Sequence, residues 1–373
     1  MTGRPDVAVV GGGVIGCAAA LRLAQDGLAV VVLERDTPGG GASWAAGGML
    51  SPISEAAGEG PFRTLALASF ERYPAFVAEV EALSGLPVGY RTDGKLEVAL
   101  SDADAESLRA RYAGIGAPAG EWLDRAAALS CEPGLAASIR GALLFRRDHS
   151  IDNRMLGRAL WLAARHAGVT FHAGGDVARL RHSRGRVHGV ALRDGTMLDA
   201  PTVVIAAGAW SAQIDELPRP LAVAPVRGQM AALDAAPDTI RHTLMTTRCY
   251  LIPRRDGRVL VGATVERAGF RIQITAAGIQ SLLNGALEVL PALGDAALAE
   301  VWAGLRPGSP DDLPIIGADP DVAGLVYATG HYRNGILLTP ITAELVRDLV
   351  VGRRPAELAP FSPARFRIDP ATP

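Results

Sequence analysis

The side chains best suited to hold a small polar substrate lie late in the chain, within or beside turns rich in glycine and proline. They are Tyr250, Arg306, His331, Tyr332 and Arg333. A guanidinium group matches a carboxylate through two parallel hydrogen bonds, so Arg306 and Arg333 favour recognition of a small carboxylate. Binding residues also collect on loops held by a rigid scaffold. An arginine in such a chain can equally be a solvated surface charge, and these residues alone leave both roles open.

The sequence lacks the motifs of several other enzyme classes. The sequence contains no HExxH, no cysteine–histidine cluster and no G-x-S-x-G, which argues against zinc hydrolases and serine esterases. Cys17, Cys131 and Cys249 are far apart, with no CxxC, which fits a reducing cytosol rather than a disulfide framework. We therefore expect no metal site.

Length and charge restrict the class of protein. With 373 residues and 49% hydrophobic content, the chain can build two domains. A net charge of -2 gives no field that would attract nucleic acid or an anionic membrane, and we expect neither partner. No apolar run reaches the ~20 residues that cross a bilayer. Because Asp6 interrupts the N-terminal region, a signal peptide is not indicated, and we expect a cytoplasmic protein.

The clearest pattern, DVAVVGGGVIGCAAALRLAQDGLAVVVLE, spans residues 6–34 and predicts strand, glycine turn, helix and strand. In such a dinucleotide-binding unit Gly11 allows the tight turn, Gly13 lets backbone approach a pyrophosphate, and Gly16 lets the helix pack against the strand. The phosphates would lie at the helix N-terminus. Glu34 ends the second strand, where its carboxylate would accept hydrogen bonds from a ribose diol. The alternative is a glycine-rich turn without a ligand.

Further backbone is predicted to pass along the dinucleotide. Residues 37–52 are too small-sided for an ordinary strand or helix, and small residues permit close approach. Val177 opens the strands of a predicted meander over residues 169–198. Gly208 lies within TVVIAAGAW (residues 202–210), a predicted buried strand that runs into a small-residue turn. For residues 37–52 the alternative is a flexible surface loop, and for TVVIAAGAW the alternative is an ordinary core strand. The candidates in the small-residue stretch are Ser43, Ala46, Gly47, Gly48 and Met49.

The sequence carries one phosphate-binding glycine turn, so it offers no second site for NAD(P)H. Electrons should therefore come from the substrate itself. Apolar periodicity predicts helices over residues 63–83, 103–113, 153–167, 274–290 and 335–350, and residues 89–100 suggest two strands joined at Asp93-Gly94. Because dinucleotide-like and β-rich segments alternate, we expect an α/β fold with interleaved domains. The predicted division assigns residues 1–86, 141–218 and 300–373 to a Rossmann-like domain, and residues 87–140 and 219–299 to a β-rich α+β substrate domain.

Six motifs together resemble the D-amino acid oxidase family of FAD-dependent amine oxidases, in its thiamine-pathway glycine oxidase branch. They are VVGGGVIG, ASWAAGGML, VIAAGAW, YLIPRRDGRVLVGAT, WAGLRPGSPDDLPIIG and GHYRNGILLTP, and they extend over almost the whole chain. The resemblance implies that the Rossmann-like domain binds FAD noncovalently. It also implies a homo-oligomer, with a homotetramer as the familiar form.

The resemblance further implies a substrate clamp and a set of FAD contacts. Tyr250 and Arg306 would hold the substrate carboxylate, Arg333 would lie at the mouth of the same pocket, and Met49 would contact the substrate. The cofactor-binding residues predicted from pattern and resemblance together are Gly11, Gly13, Val14, Ile15, Gly16, Glu34, Arg35, Ala42, Ser43, Ala46, Gly47, Gly48, Met49, Val177, Gly208, Gly330, His331, Tyr332, Arg333, Asn334, Gly335, Ile336 and Leu337.

The implied reaction is oxidative deamination of glycine, and also of sarcosine and small D-amino acids. Its products would be the imine or glyoxylate, ammonia and hydrogen peroxide, with oxygen as the acceptor and possible handover of the imine to a thiazole synthase. Arg248 and Val265 depart from the family pattern and leave the amine-side selectivity open, and Gly47 stands where alanine is common. Two alternatives remain: a dehydrogenase of the same fold that reduces a quinone or a partner subunit, and a flavoprotein without catalytic activity.

Overall fold

Fourteen of the nineteen strands in the described residues form a six-stranded and an eight-stranded β-sheet. The computed structural model describes residues 4–54, 58–117, 119–236 and 239–366. The helices are α1 (Val14–Gln25), α2 (Gly41–Ala45), α3 (Pro61–Ser84), α4 (Asp102–Ile115), α5 (Arg125–Cys131), α6 (Asn153–His166), α7 (Ala276–Val289) and α8 (Thr339–Val350). The strands are β1 (Val7–Val10), β2 (Val30–Glu34), β3 (Met49–Leu50), β4 (Lys95–Ala99), β5 (Glu121–Asp124), β6 (Gly141–Phe145), β7 (His149–Ser150), β8 (Thr170–Ala173), β9 (Val177–Ser183), β10 (Arg186–Leu192), β11 (Met197–Asp199), β12 (Thr202–Ile205), β13 (Ala224–Asp234), β14 (Thr243–Met245), β15 (Tyr250–Pro253), β16 (Arg258–Gly262), β17 (Ala297–Gly308), β18 (Ile315–Ala318) and β19 (Leu325–Thr329).

The six-stranded sheet has the order β18-β19-β12-β1-β2-β8 and is parallel except for β18. Strand β1 is apolar throughout because both faces of the sheet are covered. Val7 and Val9 pack against helices α1, α3, α6 and α8, whereas Ala8 and Val10 pack against the small antiparallel sheet β11-β10-β9. The unit β1-α1-β2 confirms the dinucleotide-type fold predicted from residues 6–34.

The helix boundaries follow from local chemistry. Helix α3 ends where Gly85 adopts a left-handed conformation (φ 70°), as the predicted stop at this glycine requires. Helix α4 begins with a reciprocal capping box between Ser101 and Asp104. The predicted helices at 153–167 and 274–290 correspond to α6 and α7. No helix among the described residues is both long enough and apolar enough to cross a membrane.

The eight-stranded sheet has the order β17-β13-β16-β15-β14-β4-β6-β5, so its strands come from three separate parts of the chain. Successive residues of β13 face opposite sides. Ala231 and Leu233 contribute to a core with α5 and α7, whereas Met230 and Ala232 face Ala45 of α2. This second face therefore looks toward the six-stranded half of the molecule.

Three local predictions are wrong. The stretch 37–52 contains helix α2 and strand β3, although its residues are small. The predicted hairpin at 89–100 is a single strand, β4, which pairs with β6 and β14 rather than with its neighbour in sequence. Within the predicted meander, β8 instead joins the edge of the six-stranded sheet beside β2. Strands β3, β4 and β8 take their hydrogen bonds from distant parts of the chain, and this tertiary pairing overrides local propensity.

The predicted domain division needs two changes. Strand β6 bonds to β4 and β5, and strand β17 bonds to β13 along its whole length, so both belong to the eight-stranded sheet. The predicted boundaries at residues 141 and 300 had separated β6 and most of β17 from that sheet. Because ladder hydrogen bonds hold a strand to its sheet, we propose that the substrate domain includes residues 141–145 and 297–308.

Arg254 connects the two halves. It follows β15 and is buried, with 7% of its surface exposed. Its guanidinium donates to the carbonyls of Ile151 (3.1 Å) and Gly47 (2.9 Å) and to Asn153 Oδ1 (2.8 Å), and its Nε lies 3.6 Å from Asp152. Burial lowers the pKa of Arg254 to about 10, so the group is charged at neutral pH. One cation thus ties the eight-stranded sheet to the turn before β3.

We expect Arg254→Leu to lower the free energy of unfolding by about 3 kcal/mol, because it leaves buried acceptors without a donor. Denaturant unfolding of the purified proteins measures the change. The neighbouring Arg255 is exposed and makes one 3.3 Å hydrogen bond to the Tyr90 carbonyl. Arg255→Leu is therefore the matched control and should change stability by less than about 0.5 kcal/mol. Equal effects of the two substitutions would contradict the connecting role.

Candidate active site

A cavity of about 470 Å³ lies between the two large sheets. The carboxyl ends of β1, β2, β12 and β19 open onto it, through Val10, Glu34, Ala206 and Thr329. Ligands of open parallel sheets bind at this end of the strands. The inner face of the eight-stranded sheet forms the opposite wall. The cavity therefore has the position expected of a cofactor site.

Most of the predicted site residues line this one cavity. They are Gly11, Gly13, Val14, Ile15, Glu34, Arg35, Ala42, Ser43, Ala46, Gly47, Gly48, Met49, Val177, Gly208, Tyr250, Arg306, His331, Tyr332, Arg333, Asn334, Gly335 and Ile336. Gly16, Gly330 and Leu337 lie outside its lining. Tertiary folding thus brings together groups separated by more than three hundred positions in the sequence.

The glycine turn at the start of α1 is built by close backbone contacts. Gly11 has φ 105°, and a Cβ atom there would lie 2.4 Å from the Ala206 carbonyl oxygen. A Cβ on Gly16 would lie 1.9 Å from the Gly11 oxygen, so Gly16 serves helix packing and not the cavity surface. Ser43 Oγ accepts a hydrogen bond from Val14 N at 3.1 Å. The turn can therefore present backbone to a ligand at the N-terminus of α1, where the helix dipole favours a phosphate.

Glu34 is held rigidly at the edge of the same turn. Its Oε2 accepts from Gly12 N at 2.7 Å and its Oε1 accepts from Asp36 N at 2.9 Å. An ionised carboxylate has further lone pairs, so Glu34 can still accept from a ribose diol. The turn and Glu34 together fit the pyrophosphate and ribose of a dinucleotide such as FAD.

Helix α2 and the turn after it form another wall of the cavity. Gly304 of β17 lets this helix approach, because a Cβ there would lie 2.3 Å from the Ala45 Cβ. Trp302 Nε1 donates to the Ala45 carbonyl at 3.1 Å. Asn153 Nδ2 donates to the carbonyls of Ser43 (2.8 Å) and Trp44 (2.9 Å). These contacts position the small residues 42–49 along the cavity.

The strand register of the eight-stranded sheet places the polar substrate candidates. Tyr250, Gly262, Met230 and Trp302 are paired in one row across β15, β16, β13 and β17. Directly paired residues share a face of the sheet. Arg306 lies four residues beyond Trp302 along β17, and residues two or four apart also share a face. Tyr250 and Arg306 therefore both point into the cavity.

Two strand glycines make room for these side chains. A Cβ on Gly228 would lie 2.3 to 2.6 Å from the Arg306 guanidinium, and a Cβ on Gly262 would lie 2.5 Å from the Tyr250 ring. Both glycines line the cavity and were missed in the sequence analysis. The available signal was a glycine inside a strand, which indicates that another group approaches closely.

A network behind Arg306 fixes its orientation. Its Nη1 donates to the Thr264 carbonyl at 3.1 Å, and the Thr264 hydroxyl donates to Glu266 at 2.6 Å. Glu266 also accepts from Gln229 Nε2 at 2.7 Å and from Arg227. Burial would raise the pKa of Glu266, but these hydrogen bonds outweigh it and lower that pKa to about 2. The carboxylate stays ionised and holds the segment that accepts from Arg306.

The turn after β19 closes the cavity near Arg306. Tyr332 has φ 49° and donates its N–H to the Pro307 carbonyl at 2.9 Å, so this turn is tied to the end of β17. The Arg333 guanidinium lies 4.8 Å from the centre of the Tyr332 ring. His331 is buried and its Nε2 lies 3.1 Å from the Thr342 hydroxyl. Burial lowers the pKa of His331 to about 3, so this histidine is neutral at physiological pH.

The two departures from the family pattern also line the cavity. Arg248 forms an ion pair with Glu288 at 2.7 Å and its side chain is 62% exposed. Val265 is 64% exposed. Both residues therefore line the cavity while most of each side chain is exposed to solvent.

The cavity therefore has two chemically different ends. The carboxylates of its described lining, Glu34, Asp36 and Asp176, lie at the turn end, where Arg35 pairs with Asp36 and Arg193 with Asp176, whereas Arg306 and Arg333 lie at the other end. Among the described residues, no group of three histidine, cysteine, aspartate or glutamate side chains is placed to hold a metal ion. The arrangement can bind a dinucleotide along one wall and present a small carboxylate to it.

Comparisons with known proteins agree with this geometry. The family model described as "FAD dependent oxidoreductase" (DAO) matches residues 6–349. Glycine oxidase of Geobacillus kaustophilus is 38% identical over 98% of both chains, and the crystal structure of glycine oxidase from Geobacillus kaustophilus superposes with a TM-score of 0.93 at 36% identity, covering 98% of this chain and 100% of that chain.

A second kind of relative is longer than this chain. The bifunctional protein ThiO/ThiG of Synechocystis is 40% identical over 97% of this chain, which spans 54% of that relative. The chain thus spans about half the length of the bifunctional relatives that it matches. The family match nevertheless extends over nearly the whole of the present sequence. The chain belongs to the DAO family of FAD-dependent oxidoreductases.

Proposed function

We propose that this protein catalyses the oxidative deamination of glycine, with sarcosine and small D-amino acids as further substrates. The products would be the imine or glyoxylate, ammonia and hydrogen peroxide. The observation that carries the proposal is the presence of Arg306 and Tyr250 in the same cavity as the dinucleotide turn. Relatives named glycine oxidase that align over the full chain support the choice of substrate.

FAD would be held by the turn at Gly11 and Gly13, by Glu34, and by the walls formed by residues 42–49 and 331–336. When bound, FAD accepts the two electrons removed from the substrate and returns them to oxygen. The protein contributes orientation and charge, and leaves the redox chemistry to the cofactor. Val177 would meet the adenine end, because it opens β9 beside the carboxyl end of β2.

The substrate carboxylate would bind the Arg306 guanidinium and the Tyr250 hydroxyl. The Thr264 and Glu266 network keeps Arg306 in one orientation before the substrate arrives. Preorganised groups of this kind lower the entropic cost of bringing reactants together. Arg333 would add positive charge at the mouth, and Met49 would contact the substrate from the wall opposite the sheet.

The amine would enter the site as the free base. His331 is neutral and faces the Thr342 hydroxyl, so it is not available as a charge partner for an ammonium group. The carboxylates of the described cavity lining lie at the turn end, beside Glu34. No general base is then required of the protein for removal of the Cα hydrogen.

Location and partners form a further part of the proposal. We place the enzyme in the cytoplasm, because Cys17, Cys131 and Cys249 are free thiols in the structure. Bifunctional relatives named ThiO/ThiG support a handover of the imine to a thiazole synthase. A homo-oligomer is proposed on family resemblance alone.

The direct test is anaerobic mixing of the purified, FAD-loaded protein with glycine while the flavin absorbance is followed. We expect the oxidised flavin band to bleach, and to recover rapidly with peroxide when air is admitted. Slow recovery in air with rapid reduction of an added quinone would indicate a dehydrogenase instead. A flavin that none of glycine, sarcosine or D-alanine bleaches would refute catalysis of this class.

We expect Arg306→Ala to lower kcat/KM for glycine roughly 30-fold to 900-fold, a loss of about 2 to 4 kcal/mol of transition-state stabilisation. The reason is that the substitution removes a charge-assisted pair from an enclosed site. Peroxide formation at varied glycine concentration measures the loss. Arg271→Ala is the control, since Arg271 is exposed, lies outside the cavity lining and donates a 3.3 Å hydrogen bond to the Ala268 carbonyl. An Arg306→Ala enzyme with unchanged kcat/KM would exclude this residue from the site.

We expect Glu34→Ala to weaken FAD binding by about 1.5 to 3 kcal/mol, since hydrogen bonds to a charged acceptor have this value. Fluorescence titration of the flavin-free protein with FAD measures the dissociation constant. Glu357→Ala removes an exposed carboxylate outside the cavity lining and should leave FAD binding unchanged. Unaltered affinity in Glu34→Ala would show that the ribose lies elsewhere.

A further inference from the structure

A second group of reactive side chains lies outside the cavity lining, at the end of α5. Cys131 is the last residue of this helix, Glu132 follows it, and His242 precedes β14. The Cys131 Sγ lies 3.9 Å from His242 Nε2, and His242 Nδ1 lies 2.9 Å from Glu132 Oε2. A nucleophile beside a base that is itself oriented by a third group is the arrangement that activates catalytic cysteines and serines.

The Glu132 carboxylate determines how His242 presents its ring. Glu132 is 1% exposed and also accepts the backbone N–H groups of Arg241 (3.1 Å) and His242 (3.0 Å). An ionised carboxylate only accepts hydrogen bonds, so the proton of a neutral His242 belongs on Nδ1. The Nε2 lone pair then faces the Cys131 thiol and can take its proton.

The surroundings keep the thiol protonated until a base removes that proton. Burial, followed by the charge of Glu132, raises the pKa of Cys131, with Glu121 acting in the same direction. Arg146 and Arg241 oppose this effect. A thiol in this setting reacts at neutral pH only if a neighbouring group accepts its proton during the reaction.

Cys131 also differs from the two other cysteines in its access to solvent. Its side chain is partly exposed, whereas Cys17 and Cys249 are buried. Cys17 donates to the Gly12 carbonyl, and burial raises its pKa far above the ordinary range for a thiol. Burial raises the pKa of Cys249 to about 11. Small reagents can therefore reach Cys131 before the others.

We propose that Cys131 is a modification site, a nucleophilic thiol served by His242 and Glu132 that reacts with small electrophiles and above all with hydrogen peroxide. The sulfur attacks one peroxide oxygen as His242 takes the thiol proton, the O–O bond breaks, and the departing hydroxide receives that proton as water. Sulfur is oxidised by two electrons to a sulfenic acid and peroxide is reduced. The source of peroxide, though not the chemistry at Cys131, rests on the proposed function.

The first experiment measures iodoacetamide alkylation of each cysteine in the FAD-loaded protein, by peptide mass spectrometry, from mildly acidic to alkaline pH. We expect Cys131 to react fastest of the three cysteines at neutral pH, where removal of its proton depends on His242, and to react faster still in alkaline solution, where the thiol ionises by itself. His242→Asn should slow alkylation of Cys131 at neutral pH by about 100-fold, the usual effect of a general base, and should move the rise to alkaline pH. Glu132→Gln keeps a side-chain oxygen that can accept the backbone N–H groups of Arg241 and His242. Its pH profile for alkylation of Cys131 should lie between those of the wild type and His242→Asn.

The second experiment adds hydrogen peroxide from the bottle and traps sulfenic acid with dimedone. We expect trapping at Cys131, its loss in Cys131→Ser, and slower trapping in His242→Asn. His188→Asn is the matched control, because His188 is exposed and pairs with Ser183 far from α5 along the chain. Since the peroxide is added, the result does not depend on whether glycine is the substrate.

The outcomes separate an activated thiol from one that is simply exposed. If Cys131 reacts with the same rate and pH profile in the wild type and in His242→Asn, the histidine is structural and the proposal is wrong. Failure of Cys131 to react with either reagent would also overturn it. If His242→Asn is poorly folded, the Glu132→Gln profile decides the matter, and a profile identical to the wild type would count against the proposal.

Discussion

The site depends on close approach between neighbouring elements at positions that only glycine can occupy. A Cβ atom on Gly11 would overlap the Ala206 carbonyl after β12, and one on Gly16 would overlap the Gly11 carbonyl. A Cβ atom on Gly304 of β17 would overlap the Ala45 side chain of α2. Protein interiors are packed near crystalline density, so such contacts cannot be relieved by small shifts. Close packing therefore limits how far the cofactor turn, helix α2 and the inner face of the larger sheet can move relative to their neighbours.

Two arginine side chains, Arg254 and Arg306, add hydrogen bonds to these packing contacts. Arg254 spans the two halves with donors to backbone carbonyls, and Arg306 uses the same kind of bond to Thr264 while its remaining donors face the cavity. A guanidinium suits both tasks because its donors lie in one rigid plane and its charge persists when it is buried. A guanidinium thus connects the two halves at Arg254, and at Arg306 it is the group that we propose binds the substrate carboxylate.

The two histidines of interest, His331 in the cavity and His242 beside Cys131, have different surroundings. His331 is neutral because burial lowers its pKa to about 3, and its Nε2 lies beside the Thr342 hydroxyl. His242 instead has a carboxylate partner, Glu132, which fixes its proton on one nitrogen and frees the other for Cys131. Whether a histidine can act as a base thus depends on the groups that its two ring nitrogens contact.

Sequence alone determined the β1-α1-β2 unit, because glycine spacing, a buried strand and a terminal Glu34 are local and each has a defined physical role. It also singled out Tyr250 and Arg306, through turn position and family resemblance. Only the tertiary structure decided that β6 and β17 join the larger sheet, that 37–52 contains a helix, and that Gly228 and Gly262 clear space for the clamp. Cys131 and His242 likewise meet only in the fold. Strand partners and cross-strand neighbours are distant in sequence, so no local pattern encodes them.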